Sequence, residues 1–553
     1  MTTTTTPPAP TRPAARKSHP LTGTGTLIRF MLRRDRVRLP VWIGSLSLIT
    51  VGLIAALPDI YLDAADRQVR AELMTNPGTR AVSGPGYGLD DYTFGAMVAN
   101  EYLSWIAIFV ALMSILLMVR HTRTEEETGR AELVRSNVVG RHAQTTAALV
   151  VIGGASLLVG LLIALGTGSL GLESIGWSGS WLFGAALASI GVVFAAITAV
   201  TAQVNEHARG AAGLSGAAFG VAFLLRAAGD MSEPGGGAAS WFSPIGWAQQ
   251  TRVYVDDRWW PLLLPAALTV VAVAFAYGLS TRRDVGAGLV QSRPGAPTAP
   301  ATLSSPLGLA WRLHRASVMW WGLALLIFGL GYGSLVSEVE SFVEEFSAME
   351  NMLEVIGGDT VIDTFLAMIV SLMAIATAVF ATLTVLRLRS EESAGRAEPV
   401  LATAISRMRW VASHLAVAAL GSAVILLLGG AGLGLTVSAT LGDAGVLPDL
   451  LGAAVAYLPA VWLTAAFGVA LFGAVPRASV LVWIVIAYAA VIGSFAAILD
   501  LPDWTLDLSP FGHIPALPAV DMNWTPVVVL TVIAAVLATI GLVGFRRRDL
   551  ETK

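Results

Sequence analysis

Long apolar runs separated by short charged loops dominate this chain. A membrane-crossing helix needs about 20 mainly apolar residues, and twelve runs meet that length. Six fall in the first half, at about 40–57, 101–119, 145–168, 181–204, 210–228 and 261–280, by that same measure. Six more follow at about 318–336, 362–386, 411–436, 450–475, 478–499 and 527–545. The run "GAAGLSGAAFGVAFLL" at 210–225 is short and full of glycine. It suits either a helix packed closely on its neighbours or a broken, re-entrant element.

Composition supports that pattern. Hydrophobic residues make up 55% and charged residues 13% of 553 residues, and mean hydropathy is +0.69. Ordinary soluble domains are roughly 45–50% apolar and about 25% charged. The predicted fold class is an all-α polytopic membrane protein with twelve transmembrane helices. A net charge of −3 gives no sign of nucleic-acid binding. With no cysteine, disulfides and thiolate chemistry are excluded, and the seven histidines show no metal-ligand spacing. The opening "MTTTTTPPAPTRPAARKSHP", rich in Thr and Pro without an apolar core, predicts a disordered cytoplasmic tail over 1–20, not a cleaved signal.

Arginines set the orientation. Arg29, Arg33, Arg34, Arg36 and Arg38 precede the first run, while Arg120, Arg123, Arg130, Arg135 and Arg141 fill the loop after the second. Arg546, Arg547 and Arg548 follow the last run, whereas the 337–361 loop holds seven acids and no basic residue. The positive-inside rule then predicts both termini and the arginine-rich loops in the cytoplasm. The segment before each half's first run reads as an interfacial helix, with Leu27, Phe30 and Met31 opposed to Arg29, Arg33 and Arg36. A plain basic flank that only fixes topology is the alternative.

The halves repeat. "TEEETGRAELVRSNVVGR" at 124–141 returns as "SEESAGRAEPVLATAISR" at 390–407, with Gly129 and Gly395 a distance of 266 apart. Ser243-Pro244-x-Gly246 returns at the same spacing as Ser509-Pro510-x-Gly512, and "TRRDV" after the sixth run echoes "RRRDL" after the twelfth. At the front, Arg34 matches Arg315 at 281. Six spans per half make the two repeats parallel. The expected domains are the first half at 21–283, a Pro- and Ala-rich cytoplasmic linker at 284–306 and the second half at 307–553.

Topology requires only arginines in these loops, yet the doubled phrase also keeps its acids and glycine. Glu125, Glu126, Gly129, Arg130, Glu132, Leu133 and Arg141 recur as Glu391, Glu392, Gly395, Arg396, Glu398 and Arg407, with Pro399 in place of Leu133. A solvated loop is the bland explanation; duplication favours a shape that meets a partner. The glycines suit a turn, and Pro399 suits the first turn of a short helix.

These residues carry a resemblance. The basic lead-in, the E-E-x-x-G-R-x-E loop, the S-P-x-G segment and the R-R-D exit, once per half from about residue 21 onward, resemble the permease subunit of ABC-2-type exporters. The similarity is to their fused twelve-span branch, the actinobacterial exporters of polyketide antibiotics. That resemblance implies a type-2 ABC exporter transmembrane fold in the bacterial cytoplasmic membrane. It implies that 125–141 and 391–407 are coupling loops on which two copies of a cytoplasmic ABC ATPase subunit dock. Apolar small molecules would be the substrate. The departure at Pro399 and Leu401, where the first copy has Leu133 and Arg135, makes the two docking sites unequal.

This chain cannot supply a P-loop itself. Its only lysines are Lys17 and Lys553, neither within GxxxxGK[ST]. ATP and Mg would then be bound by the partner, leaving this chain with no cofactor and no catalysis. Two other classes stay open: an ion-coupled carrier of the major-facilitator type, and a membrane scaffold or sensor that transports nothing. Carriers keep ionisable groups inside the bundle, whereas Glu101, Glu206 and Arg226 lie at span ends here. By resemblance the substrate path is lined by Trp105, Phe109 and Met113 in the second span and by Phe365, Met368 and Met373 in the eighth, although any packed membrane helix carries such residues. After the seventh span, Phe342, Phe346, Met349, Leu353 and Ile356 predict one face of an amphipathic outer helix.

Overall fold

The computed structural model describes residues 19–136, 138–284, 286–290, 295, 297–336, 361–495, 502 and 504–550. Twelve helices in it are long and apolar enough to cross a membrane. Spans 1–6 are Arg38–Ile60, Phe94–Glu127, Ala143–Ser169, Trp177–Val204, Ala208–Ser232 and Trp260–Ser280. Spans 7–12 are Pro306–Gly333, Ile362–Ser393, Arg407–Leu441, Val446–Ala474, Pro476–Gly493 and Trp524–Arg547. Among the described residues there is no named strand, only an isolated bridge between Asn205 and Val290. The chain is a polytopic, all-helical membrane protein.

Two compact units result, Met1–Pro294 and Gly295–Lys553. In the first, span 4 lies at the centre and packs against spans 2, 3, 5 and 6, while span 1 rests on span 3. The second unit repeats these pairings: span 10 meets spans 8, 9, 11 and 12, and span 7 rests on span 9. Close backbone approach holds the central pairs. A Cβ on Gly160 would lie 2.2 Å from the Gly184 carbonyl oxygen, and one on Gly473 would lie 2.2 Å from that of Gly541.

The glycine-rich run at 210–225 lies within one continuous helix, Ala208–Ser232, so the broken alternative is overturned. It is the matching span 11 that begins irregularly, with a 3-10 turn at Pro476–Leu481 ahead of the α-helix. The lead-in helix also differs between the units. In the first it is a separate helix, Thr24–Arg34. Buried Asp35 follows it and pairs with His121 at 2.7 Å and Arg120 at 3.2 Å, fixing the bend before span 1. Asp35 aligns with Ala316, which has no such grip, and the second lead-in runs straight into span 7 from an N-cap at Ser305 and Pro306. The expected amphipathic helix at 342–356 lies outside the described residues.

In each unit the doubled phrase and the exit of the last span share one end, called here the motif end; the S-P-x-G segment lies at the far end. Its logic is local. Ser243 Oγ accepts from the amides of Ile245 and Gly246, Pro244 takes the first helical turn, and a Cβ on Gly246 would lie 2.1 Å from the Ser240 carbonyl. In the second unit Ser509 Oγ accepts from the Phe511 amide, and a Cβ on Gly512 would lie 2.4 Å from the Leu506 carbonyl. In the first unit a π-helical turn at Val98–Tyr102 holds Asn100 against the backbone of Tyr87 and Glu101 against Arg70 at 2.7 Å. Burial opposes the Arg70 charge, but Glu101 outweighs it and holds the guanidinium above its usual pKa.

Candidate functional site: the loop and exit clasp

The doubled phrase folds the same way twice. In the first unit Arg123–Glu127 is helical, Gly129 turns at φ +72°, and a short helix, Arg130–Arg135, follows. In the second, span 8 runs on through Ser393, Gly395 turns at φ +70°, and Ala397–Leu401 forms the short helix with Pro399 in its first turn. No atom lies within 4 Å of a Cβ built on either glycine. Both positions therefore need glycine for its left-handed backbone, not for space.

Three neighbouring acids of the first copy reach three different elements. Glu125 pairs with Arg34 of the lead-in helix. Glu126 receives both arms of Arg283, from Nη1 and Nη2 at 2.8 Å each, and also pairs with Arg123. Glu127 accepts from the Ala208 amide at 3.1 Å, where span 5 begins. Arg123 is fully buried and donates to the carbonyls of Asn205 and Ala287. Residues 289 and 290 lie along the end of span 4, with amides donating to the carbonyls of Gln203 and Val204.

The second copy fastens its first acid differently and repeats other ties. Glu391 is held by Arg387 at 3.2 Å and Arg396 at 2.6 Å, within its own segment. The hydrogen bond to Glu391 raises the Arg396 pKa, outweighing a small burial effect. Arg387 donates to the Leu313 carbonyl, and Arg389 to that of Arg477. Glu392, however, receives both arms of Arg548, at 2.7 and 2.6 Å, as Glu126 does from Arg283. A second tie also recurs: Arg141 donates to the carbonyls of Ser280 and Arg283, and Arg407 donates to that of Arg548 at 2.5 Å. In both units one acid of the phrase holds the exit arginine's side chain, and its last arginine holds the same residue's carbonyl.

Arg283 and Arg548 were legible only as an echo, the R-R-D after each last span; their distance from Glu126 and Glu392 in the chain hid the connection. Among the sequence-predicted residues, Glu125, Glu391 and Glu392 are buried and Glu126 nearly so. Arg130, Glu132, Arg396 and Glu398 are exposed. Leu133 and Val138 are 73% and 77% exposed, whereas Val400 and Ile405 are half-buried against their unit's core. A polar cavity of about 140 Å³ lies behind the first clasp, lined by Arg123, Glu126, Arg141, Gln144, Gln203 and Arg283 among others.

The six residues assigned to a substrate path divide. Met113 and Met373 are buried in the cores of their own units. Trp105, Phe109 and Met368 are exposed, and Phe365 is half-buried. Buried ionisable groups gather towards span ends: Asp35 with His121 and His314 with His414 (Nε2 to Nδ1, 3.2 Å) towards the motif end, and Arg226 with Asp230 at the far end.

Two like six-span units, each with a loop clasped to its last span, define a duplicated polytopic membrane protein. The chain belongs to the family described as "Multidrug efflux system permease Rv1217c, C-terminal domain", which matches residues 28–280 and 303–546, one stretch in each unit. It is 42% identical over 534 residues to the "Multidrug efflux system permease protein Rv1217c" of Mycobacterium tuberculosis (strain ATCC 25618 / H37Rv), covering 96% of each chain.

Proposed function

We propose that this chain is the membrane-spanning permease of an ATP-driven exporter of the ABC-2 type, moving apolar or amphipathic small molecules, drugs among them, out of a bacterial cell. The observation that carries this reading is the doubled phrase. In both units it forms a short helix after a left-handed glycine, its buried acids turned to its own bundle and residues such as Glu132 and Glu398 exposed. Such a handle suits a separate protein that pushes on it. Two copies of a soluble ABC ATPase would dock there, each binding ATP and Mg, because this chain has no lysine placed for a P-loop.

On this reading the motif end faces the cytoplasm, the orientation that the arginine distribution favours. Docking falls to the exposed residues Arg130, Glu132 and Leu133 in one copy and Arg396 and Glu398 in the other. The buried acids Glu125, Glu126, Glu391 and Glu392 hold the handle in place from behind. Trp105, Phe109 and Met368, exposed on their units, are the path residues best placed to meet an apolar cargo.

The test is charge reversal at both handles, Glu132→Arg with Glu398→Arg. Insertion and yield should be unchanged, while ATP hydrolysis stimulated by an apolar drug should be lost. Stimulation equal to that of the parent protein would reject the docking assignment.

A further inference from the structure

The ties between each loop and the exit of its last span do more than fasten a surface segment. Among the described residues these ties recur in both units, as do the bonds from Arg123 and Arg389 to the carbonyls of Asn205 and Arg477, whereas the grips of Glu125 and Glu391 differ. Glu126 and Arg283 are 157 positions apart and only 6% and 8% exposed. Glu392 and Arg548 are 156 apart and similarly enclosed. A buried ion pair adds little net stability because both charges lose water, so its stronger effect is on geometry. The two-armed arginine–carboxylate fork is directional, and Arg141 and Arg407 also donate to the carbonyls of the same exit residues, at 3.4 and 2.5 Å. Position and rotation of the exit are therefore both set by the loop. The helices that lead into these exits, spans 6 and 12, have the least buried windows of the twelve and pack chiefly on spans 4 and 10. Each is therefore held on one side, by its seam with the central span and by the clasp at its exit.

We propose that Glu126, Arg141 and Arg283, and their counterparts Glu392, Arg407 and Arg548, are positioning residues that make each loop and the end of its last span one moving piece. A displacement of the loop is then carried into spans 6 and 12, and through their packing into spans 4 and 10. The inference rests on the ATPase-driven reading only for what displaces the loop; the rigidity of the clasp stands apart from it.

The chain contains no cysteine, so spin labels can be placed at Thr128→Cys with Arg282→Cys, and separately at Ala394→Cys with Arg547→Cys, all exposed positions. In nanodiscs, each pair should give one narrow distance distribution, unchanged by apolar drug, by the ATPase or by trapped nucleotide. Arg283→Ala should broaden it and lower cargo exported per ATP by about 5- to 150-fold, the span of an ordinary coupling free energy. Arg283→Lys, which keeps the charge but loses the two-armed fork, should keep the parent melting temperature and yield while the distribution stays broad, which separates positioning from a folding defect. A parent distance that shifts by a helical turn, about 5 Å, between states would overturn the proposal. So would Arg283→Ala with a narrow distribution and unimpaired export. Should the handle reversals described above leave ATP hydrolysis untouched, the driver reading fails alone, and the drug-bound and drug-free distance distributions still decide whether the clasp is rigid.

Discussion

At the scale of single residues, the doubled glycines are the clearest link from sequence to shape. Gly129 and Gly395 have φ near +70° with open space where a side chain would go, so substitution is penalised by backbone strain alone. Gly129→Ala should cost roughly 1–2 kcal/mol, and Gly129→Asn less, because asparagine tolerates the left-handed region. Thermal unfolding of the detergent-solubilised protein checks this; an alanine variant as stable as the parent would contradict it. The turn was legible because the phrase occurs twice with glycine at one place. Which acids turn inward was not. Glu125 and Glu132 look alike in the sequence, yet one meets Arg34, 91 positions away, and the other is exposed. Nothing in local spacing separates them, because the deciding partner is supplied by the tertiary fold.

Helices were the most legible elements, since apolar runs of span length report themselves. Each of the twelve expected runs overlaps one span. The misjudged boundaries have physical causes outside the local pattern. The bend before span 1 depends on Asp35 meeting His121 and Arg120, and without that contact the second lead-in continues as helix. The glycines at 210–225 suggested a break, but Gly213, Gly216 and Gly220 have open space at the Cβ position and sit in an unbroken helix. Glycine thus reports two different things in these spans. At Gly160 a methyl group would press on the Gly184 backbone, so Gly160→Ala should force spans 3 and 4 apart at about 1–3 kcal/mol. Gly154, on the same helix with nothing within 4 Å, should accept alanine without loss. Equal melting temperatures for the two variants would contradict the close-packing account.

For the whole molecule, the repeat was legible in order and spacing, and the two units share one packing plan from different side chains. Their differences are as informative as their likeness. The first handle exposes Leu133 and Val138, while the second presents Glu398 and Pro399 and keeps Val400 and Ile405 against its own core. A partner meeting both would find apolar contact at one and chiefly polar contact at the other. Among the described residues, buried ionisable pairs such as Asp35 with His121 and Arg226 with Asp230 lie towards span ends. A proton-driven carrier would need a relay deeper in the membrane.

The central claim is that the work of export enters through the two handles from a separate ATPase. The most direct measurement places the purified chain in proteoliposomes and follows an apolar drug, first under an imposed proton gradient alone, then with ATP and an ABC ATPase that copurifies with it. The account predicts no gradient-driven movement, and export that appears only with ATPase and ATP and is lost with Glu132→Arg and Glu398→Arg. Drug movement by the chain alone, down the proton gradient and without any second protein, would contradict it.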